Sequence, residues 1–155
     1  MGETVRWLTP EEQHAWRGFL RLHDRLRGRL SRSLQSESHI SAADFGVLVE
    51  LTDAPDGRQR FLDLARALEW EKSRMSHHVS RMVKRGLVVR DECPEDGRGA
   101  FVVITDEGRA MIEAAAPRHV EAVRALFLDH VTPAELRTLA RISERVVGKL
   151  DEDTD

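Results

Sequence analysis

Apolar residues recur at spacings of three and four along most of this chain, which is the pattern of helices that bury one face. The predicted helices cover residues 10–34, 41–53, 61–68, 72–85, 106–127 and 133–150. Thr9 and Thr132 mark two helix starts, because each is followed by Pro and, three residues on, by Glu. Gly86 suits the left-handed C-cap of the fourth helix, and we expect the fifth helix to bend near Pro117.

After Gly86 the pattern changes from helical to strand-like. Residues 87–90 and 100–104 are short apolar and β-branched runs, and the segment between them is rich in turn formers. Two such runs around a loop predict a long hairpin. The order of three helices and a hairpin is that of a helix-turn-helix followed by a wing. We therefore expect a mainly α fold, a winged helix-turn-helix with a two-stranded β-wing and long helices at both chain ends.

Charge is distributed unevenly along the chain. The formal net charge is -3, yet the segment from Gly57 to Arg90 holds nine Lys or Arg against three acids. That segment is therefore +6 and the remainder -9. A basic island in an acidic protein favours an anionic partner, although a solvated helix face would have the same composition.

The fourth predicted helix divides into an apolar face and a face of hydrogen-bond donors. A helical wheel places Met75, Val79, Met82 and Val83 toward the core. The opposite face carries Ser73, Arg74, His77, Ser80, Arg81 and Lys84, and the predicted DNA-contact set adds Ser76. Each of these side chains can donate to a base edge or a phosphate. A typical solvent face mixes both signs of charge, so a donor face without acids favours DNA.

The stretch from Trp70 to Val88, with the wing that follows it, resembles the recognition unit of MarR-type regulators. The wing's Asp96-Gly97-Arg98, followed by Ile104-Thr105-Asp106-Glu107-Gly108, is similar to that family's D-x-R…LT-x-x-G stretch, with Ile104 where Leu is usual. The resemblance extends over residues 10–150. Two positions depart from it: Glu69 stands where the family often has Gly, and Glu71 where it often has a capping Ser or Thr.

The resemblance implies a homodimeric transcriptional regulator that binds double-stranded DNA. Residues 10–34 and 106–150 would be the dimerisation helices, residues 41–105 the DNA-binding domain, and residues 151–155 an acidic frayed tail. The long apolar stripes at both chain ends independently exceed what a small winged domain can cover; the alternative is a self-contained bundle within one monomer. Repression by blocking a promoter is the usual mode for this resemblance, and activation remains open.

The wing offers a second predicted DNA contact at Arg98. This residue lies between Gly97 and Gly99 in the hairpin loop, where its side chain suits a narrow, electronegative minor groove. The resemblance implies that Asp96 orders the guanidinium of Arg98 or of a neighbour such as Arg90. The alternative is that Arg98 and Asp96 are ordinary turn residues.

The resemblance also implies a small-molecule effector site between the dimerisation helices and the winged domain. Trp16, His23 and Arg27 on the first helix offer an aromatic wall and polar groups to a small anion. The alternative is that Trp16 belongs to the core and the other two to the surface.

Other classes of protein find little support in the sequence. His77 and His78 are adjacent and point about 100° apart, so they do not chelate one ion. We expect both to face DNA or solvent, and no metal or cofactor is expected. Cys93 is the only cysteine; we take it as incidental, although regulators of this kind sometimes use Cys as a redox sensor. No P-loop, dinucleotide fingerprint or nucleophile elbow indicates an enzyme.

The remaining alternative function is a winged-helix protein–protein interaction module that does not read DNA sequence. The N-terminus lacks the apolar segment of a signal peptide, and no apolar run approaches the roughly 20 residues that span a bilayer. We therefore expect a cytoplasmic protein without membrane contact.

Overall fold

The structure, a computed structural model, describes residues 4–92 and 99–153. The helices are α1 (Pro10–Ser38), α2 (Ala42–Asp53), α3 (Phe61–Ala67), α4 (Lys72–Lys84), α5 (Asp106–Leu126) and α6 (Pro133–Glu152). The strands are β1 (Arg58–Arg60), β2 (Val88–Asp91) and β3 (Phe101–Ile104). Short 3-10 turns lie at Pro55–Gly57 and Leu128–His130. The mainly α winged helix-turn-helix fold predicted from the sequence is therefore confirmed.

The chain divides into two compact units, one ending at His119 and the other beginning at Val120. In the first unit, α2, α3 and α4 pack with the sheet around one apolar core. Its fully buried large side chains are Ile40, Val47, Leu48, Leu51, Leu64, Met75, Val79, Met82, Val88 and Val102. The second unit contains α6, which has no buried residue. Its apolar residues Leu136, Leu139, Ile142, Val146, Val147 and Leu150 are all exposed in the single chain.

The sheet has three strands in the order β1-β3-β2, all antiparallel, so the prediction of a two-stranded wing was incomplete. Arg58 pairs with Val103, and Arg90 pairs with Val102. β1 consists of three polar residues and shows no alternation of apolar and polar positions. It is a strand because β3 offers it a free edge, which the local sequence does not reveal.

The ends of α3 and α4 have the same C-terminal geometry, although their sequences differ. After α4, Gly86 has φ +76°, and its N–H donates to the carbonyl of Val83. After α3, Glu69 occupies the equivalent left-handed position with φ +56°, and its N–H donates to the carbonyl of Arg66. The turn between α3 and α4 is therefore the one a glycine would make, built on a residue with a Cβ.

The predicted helix starts are confirmed. Thr9, Ser41 and Thr132 each accept from the backbone N–H three residues on, in complete capping boxes. Gly108, in the first turn of α5, lies against the carbonyl of Leu87 so closely that a Cβ would overlap its oxygen. That close approach explains why a glycine stands at position 108, the last residue of the stretch 104–108.

Two expectations need correction. Val83 is not in the core but 38% exposed, because it lies at the edge of the buried face of α4. His78, grouped in the sequence with exposed histidines, is only 8% exposed. Pro117 lies inside α5, which is continuous from Asp106 to Leu126, and the bend expected there stays a prediction.

Replacing Glu69 by Gly should stabilise the first unit. A side chain in the left-handed region costs about 1–2 kcal/mol, part of which the greater freedom of unfolded glycine offsets. We expect the free energy of unfolding to rise by about 0.5–1 kcal/mol in chemical denaturation. Glu69→Ala is the control, because it removes the same charge but keeps the Cβ. An equal gain in both variants would contradict the explanation by backbone conformation.

Candidate nucleic-acid interface

The outer face of α4 presents the donors that the sequence predicts. Ser73, Arg74, His77, Ser80, Arg81 and Lys84 are exposed, and Ser76 is half-buried. The opposite face buries Met75, Val79 and Met82 in the core. No acidic residue lies within α4. The helix is thus fixed by one side and offers an uninterrupted face of donors on the other.

Two serines of the predicted contact set have partners within the chain. The Ser80 hydroxyl donates to the carbonyl of Ser76 at 2.9 Å. The Ser76 hydroxyl accepts from Nη2 of Arg90 at 3.3 Å, and that guanidinium lies 5.4 Å from the ring centre of Phe61. Arg90 therefore joins strand β2 of the wing to the middle of α4. Ser76 has a structural role that the sequence did not predict.

A buried carboxylate, Asp44, connects α2 to α4. Its Oδ2 accepts from Nη1 of Arg85 at 2.6 Å and from the backbone N–H of Ser41 at 3.3 Å. Asp44 is 3% exposed. Burial by itself would raise the pKa of Asp44, but the hydrogen bonds from Arg85 and Ser41 outweigh it, and the net effect is a lowered pKa. Asp44 is therefore charged at neutral pH.

His78 lies between this carboxylate and the outer face of α4. Its Nε2 lies 2.8 Å from Oδ1 of Asp44. Nη2 of Arg81 lies 3.3 Å from Nδ1. A donor at Nδ1 and a carboxylate at Nε2 fit the neutral tautomer that carries its proton on Nε2.

Burial lowers the pKa of His78 and outweighs the opposing attraction of Asp44. The predicted helix over residues 41–53 begins at Ser41, but no local feature of the sequence indicates that Asp44 also contacts α4.

The base of the wing is braced by arginines. Nη2 of Arg58 donates to Oδ2 of Asp91 at 3.1 Å, and this bridge connects β1 to β2 across β3. The guanidiniums of Arg58 and Arg60 lie 4.1 Å and 4.6 Å from the ring centre of Phe101. The loop residues Cys93, Asp96 and Arg98 lie outside the described residues, so the predicted minor-groove contact stays a prediction.

The proposed effector residues lie on the exposed side of α1. The rings of Trp16 and Phe19 stack at 6.0 Å, and Phe19 and His23 at 6.5 Å. Nδ1 of His23 lies 3.4 Å from Oδ1 of Asp24, and Arg27 is exposed. Trp16 is 52% exposed, so it is not part of the core of the single chain.

The described part of the chain gives no sign of a metal site or a membrane span. Residues 4–92 and 99–153 contain no group of three His, Cys, Asp or Glu side chains arranged to hold an ion. None of the helices described is both long and apolar enough to cross a bilayer.

Known proteins are similar to this chain in both sequence and fold. The sequence model of the MarR family matches residues 40–99. The crystal structure of AbsC, a MarR family transcriptional regulator from Streptomyces coelicolor, is 36% identical, with a TM-score of 0.90 over 96% of this chain and 99% of that one. Sco3205, a MarR family transcriptional regulator from the same organism solved in complex with DNA, is 39% identical, with a TM-score of 0.89 over 94% of this chain and 92% of that one.

Among curated relatives, the HTH-type transcriptional repressor YetL of Bacillus subtilis (strain 168) is 27% identical over 110 residues, which are 69% of this chain and 66% of YetL. The chain spans about half the length of two other curated relatives that it matches.

The buried histidine makes the stability of the fold depend on pH. Because the folded pKa of His78 lies below its usual value of 6.5, the unfolded chain takes up the proton first as the pH falls. The stability is therefore complete above about pH 6.5 and declines below it. We expect His78→Gln, which keeps an N–H donor but does not titrate, to flatten the loss of unfolding free energy between about pH 7 and pH 5.

The matched control is His77→Gln, at an exposed position on the same helix, which should keep the wild-type slope. Burial also lowers the pKa of His119 and adds a slope of the same sign, so the comparison is between variants. Identical slopes for His78→Gln and wild type would contradict a neutral, buried His78.

Proposed function

Since the chain belongs to the MarR family of transcriptional regulators, we propose that it is a homodimeric repressor that binds a pseudo-palindromic operator. The relatives are regulators rather than enzymes. The observation that carries the proposal is the outer face of α4, which is exposed and free of acids. The opposite face of that helix is fixed by the core and by the buried carboxylate of Asp44.

In this proposal α4 enters the major groove as the second helix of a helix-turn-helix. Arg74, His77 and Arg81 contact base edges or nearby phosphates, and Ser73 and Ser80 lie beside them. Lys84, at the C-terminal end of α4, contacts a phosphate. Arg98 remains the proposed minor-groove contact.

The proposed dimer explains the exposed apolar residues of the two terminal helices. Trp16, Phe19 and Leu20 of α1 are exposed, and so is the whole apolar stripe of α6. Large exposed apolar patches mark interaction sites, since burying each side chain contributes about 1.5–3 kcal/mol. A two-fold pairing of these helices would also present two copies of α4 to DNA.

We also propose that a small-molecule effector binds on α1 and controls DNA binding. A small molecule bound near Trp16, His23 and Arg27 would release the operator if it favoured a dimer with a different spacing of the two α4 helices. The stacked aromatic row on α1 offers exposed ring faces for such a ligand.

The dimer predicts the mass of the protein in solution. Sedimentation equilibrium at micromolar concentration should give about twice 17.6 kDa. Leu139→Glu, which places a charge in the apolar stripe of α6, should shift the protein toward the monomer. Arg141→Glu introduces the same side chain on the opposite side of that helix and should leave the dimer intact. A monomeric wild-type protein would contradict the proposed dimer.

The operator is tested by selecting bound sequences from random duplex DNA. We expect a pseudo-palindrome whose half-sites lie roughly 10 bp apart, centre to centre. Arg74→Ala should cost about 1–3 kcal/mol of binding free energy and relax the preference at one position per half-site. Lys84→Ala should weaken all sequences alike and lower the salt dependence by about one ion per site.

Selection that enriches no sequence at any salt concentration would contradict the proposal and favour a protein–protein module. A change of sequence preference in Lys84→Ala would instead show that the orientation of α4 in the groove is wrong.

A further inference from the structure

Trp70 occupies the turn that connects α3 to α4. Its backbone N–H donates to the carbonyl of Ala65, five residues earlier, at 2.9 Å. This hydrogen bond closes the C-terminal turn of α3. The side chain is half-buried and packs against the edge of the core. Both the main chain and the ring of Trp70 therefore have partners within the chain.

The indole contacts two residues of α4. Its ring and the His78 ring are nearly perpendicular, with 5.2 Å between centroids and 79° between planes. The guanidinium carbon of Arg74 lies over the indole, 4.2 Å from a ring centre. His78 in turn contacts the carboxylate of Asp44. A continuous series of contacts thus runs from a buried charge to an exposed arginine.

These contacts matter for DNA recognition because Arg74 lies near the N-terminus of α4. It is the third residue of α4, and the N-terminal residues of such helices contact base edges in the major groove. A guanidinium that reads guanine needs its plane oriented for two parallel hydrogen bonds. A free arginine side chain must lose rotamer freedom to reach that geometry, whereas one already stacked on an aromatic face loses less.

The other exposed arginine of this face is held differently. The guanidinium of Arg81 contacts Nδ1 of His78 at 3.3 Å, within the same helix. The stacking on Trp70 therefore distinguishes Arg74 from Arg81, although both lie on one helix face and carry the same group.

We propose that Trp70 is a positioning residue for DNA recognition: its indole orients the Arg74 guanidinium and so sets the preference at the base pair that Arg74 reads. The inference rests on the proposed function, because it assumes that α4 reads duplex DNA. It adds a specificity determinant outside the donor face, in a residue that need not touch the DNA.

A double-mutant cycle tests this role on the duplex recovered by selection and on duplexes that carry each single base-pair change in one half-site. Trp70→Leu should weaken binding to the selected duplex about fivefold or more. The loss of preference should be confined to the base pair that Arg74→Ala also relaxes. The double variant should bind no more weakly than Arg74→Ala alone, because the stack has nothing left to orient.

Three further variants separate positioning from packing. Trp70→Phe keeps an aromatic face and should restore most of the preference. Arg74→Lys keeps the charge but removes the planar group. In an otherwise wild-type chain it should lose the preference at the same base pair. The control cycle combines Trp70→Leu with Lys84→Ala, at the opposite end of α4, whose effects should multiply independently. Thermal unfolding of each variant reports any general loss of structure.

A uniform loss of affinity across all duplexes, or independent effects of Trp70→Leu and Arg74→Ala, would overturn the inference and leave Trp70 as a packing residue. If Trp70→Leu does not fold, the comparison of Trp70→Phe and Arg74→Lys decides the question on the same duplexes. A selection that yields no preferred duplex would overturn the proposed function itself, and the inference with it.

Discussion

The buried carboxylate of Asp44 is the interaction on which the placement of α4 depends. A charge taken out of water is stabilised only if several donors replace the lost hydration. Asp44 accepts hydrogen bonds from Arg85 at the end of α4 and from the backbone N–H of Ser41 at the start of α2. It also contacts the ring of His78 in the middle of α4. Removing this acceptor would leave the buried ring of His78 without its partner, at a cost of about 1–3 kcal/mol, whereas the partly exposed Arg85 would be solvated.

The same anchor leaves the outer face of α4 available for a partner. Since Met75, Val79 and Met82 fill the core and Asp44 contacts α4 at its middle and its C-terminal end, the exposed donors have little part in holding the fold. Even so, these donors are not free chains in solvent. Arg74 lies on Trp70, Arg81 on His78, and Ser76 accepts from Arg90 of the wing. The interface is thus partly ordered in the single chain, which lowers the entropy lost on binding.

The sequence carried most of the fold because its helix signals are local. Capping boxes, apolar spacing and Gly86 place the helices within a few residues, and the donor face of α4 follows from the helical period. What it missed depends on distant partners or on neighbouring strands. β1 forms because it pairs with the open edge of β3. His78 is buried against Asp44, a residue 34 positions earlier in the chain, so no local pattern reveals it. At Glu69, where the family often has Gly, the turn is kept with a glutamate in the left-handed conformation.

The role of α4 in DNA recognition can be tested by a structure of the protein bound to its selected duplex. We expect the outer face of α4 to lie in the major groove, with Arg74 still against Trp70 and within hydrogen-bond distance of a base edge. We also expect the contacts of Asp44 with His78 and Arg85 to be retained in the complex. A complex in which α4 lies outside the groove, or in which DNA binds with the Asp44 contacts broken, would show that this mode of recognition is wrong.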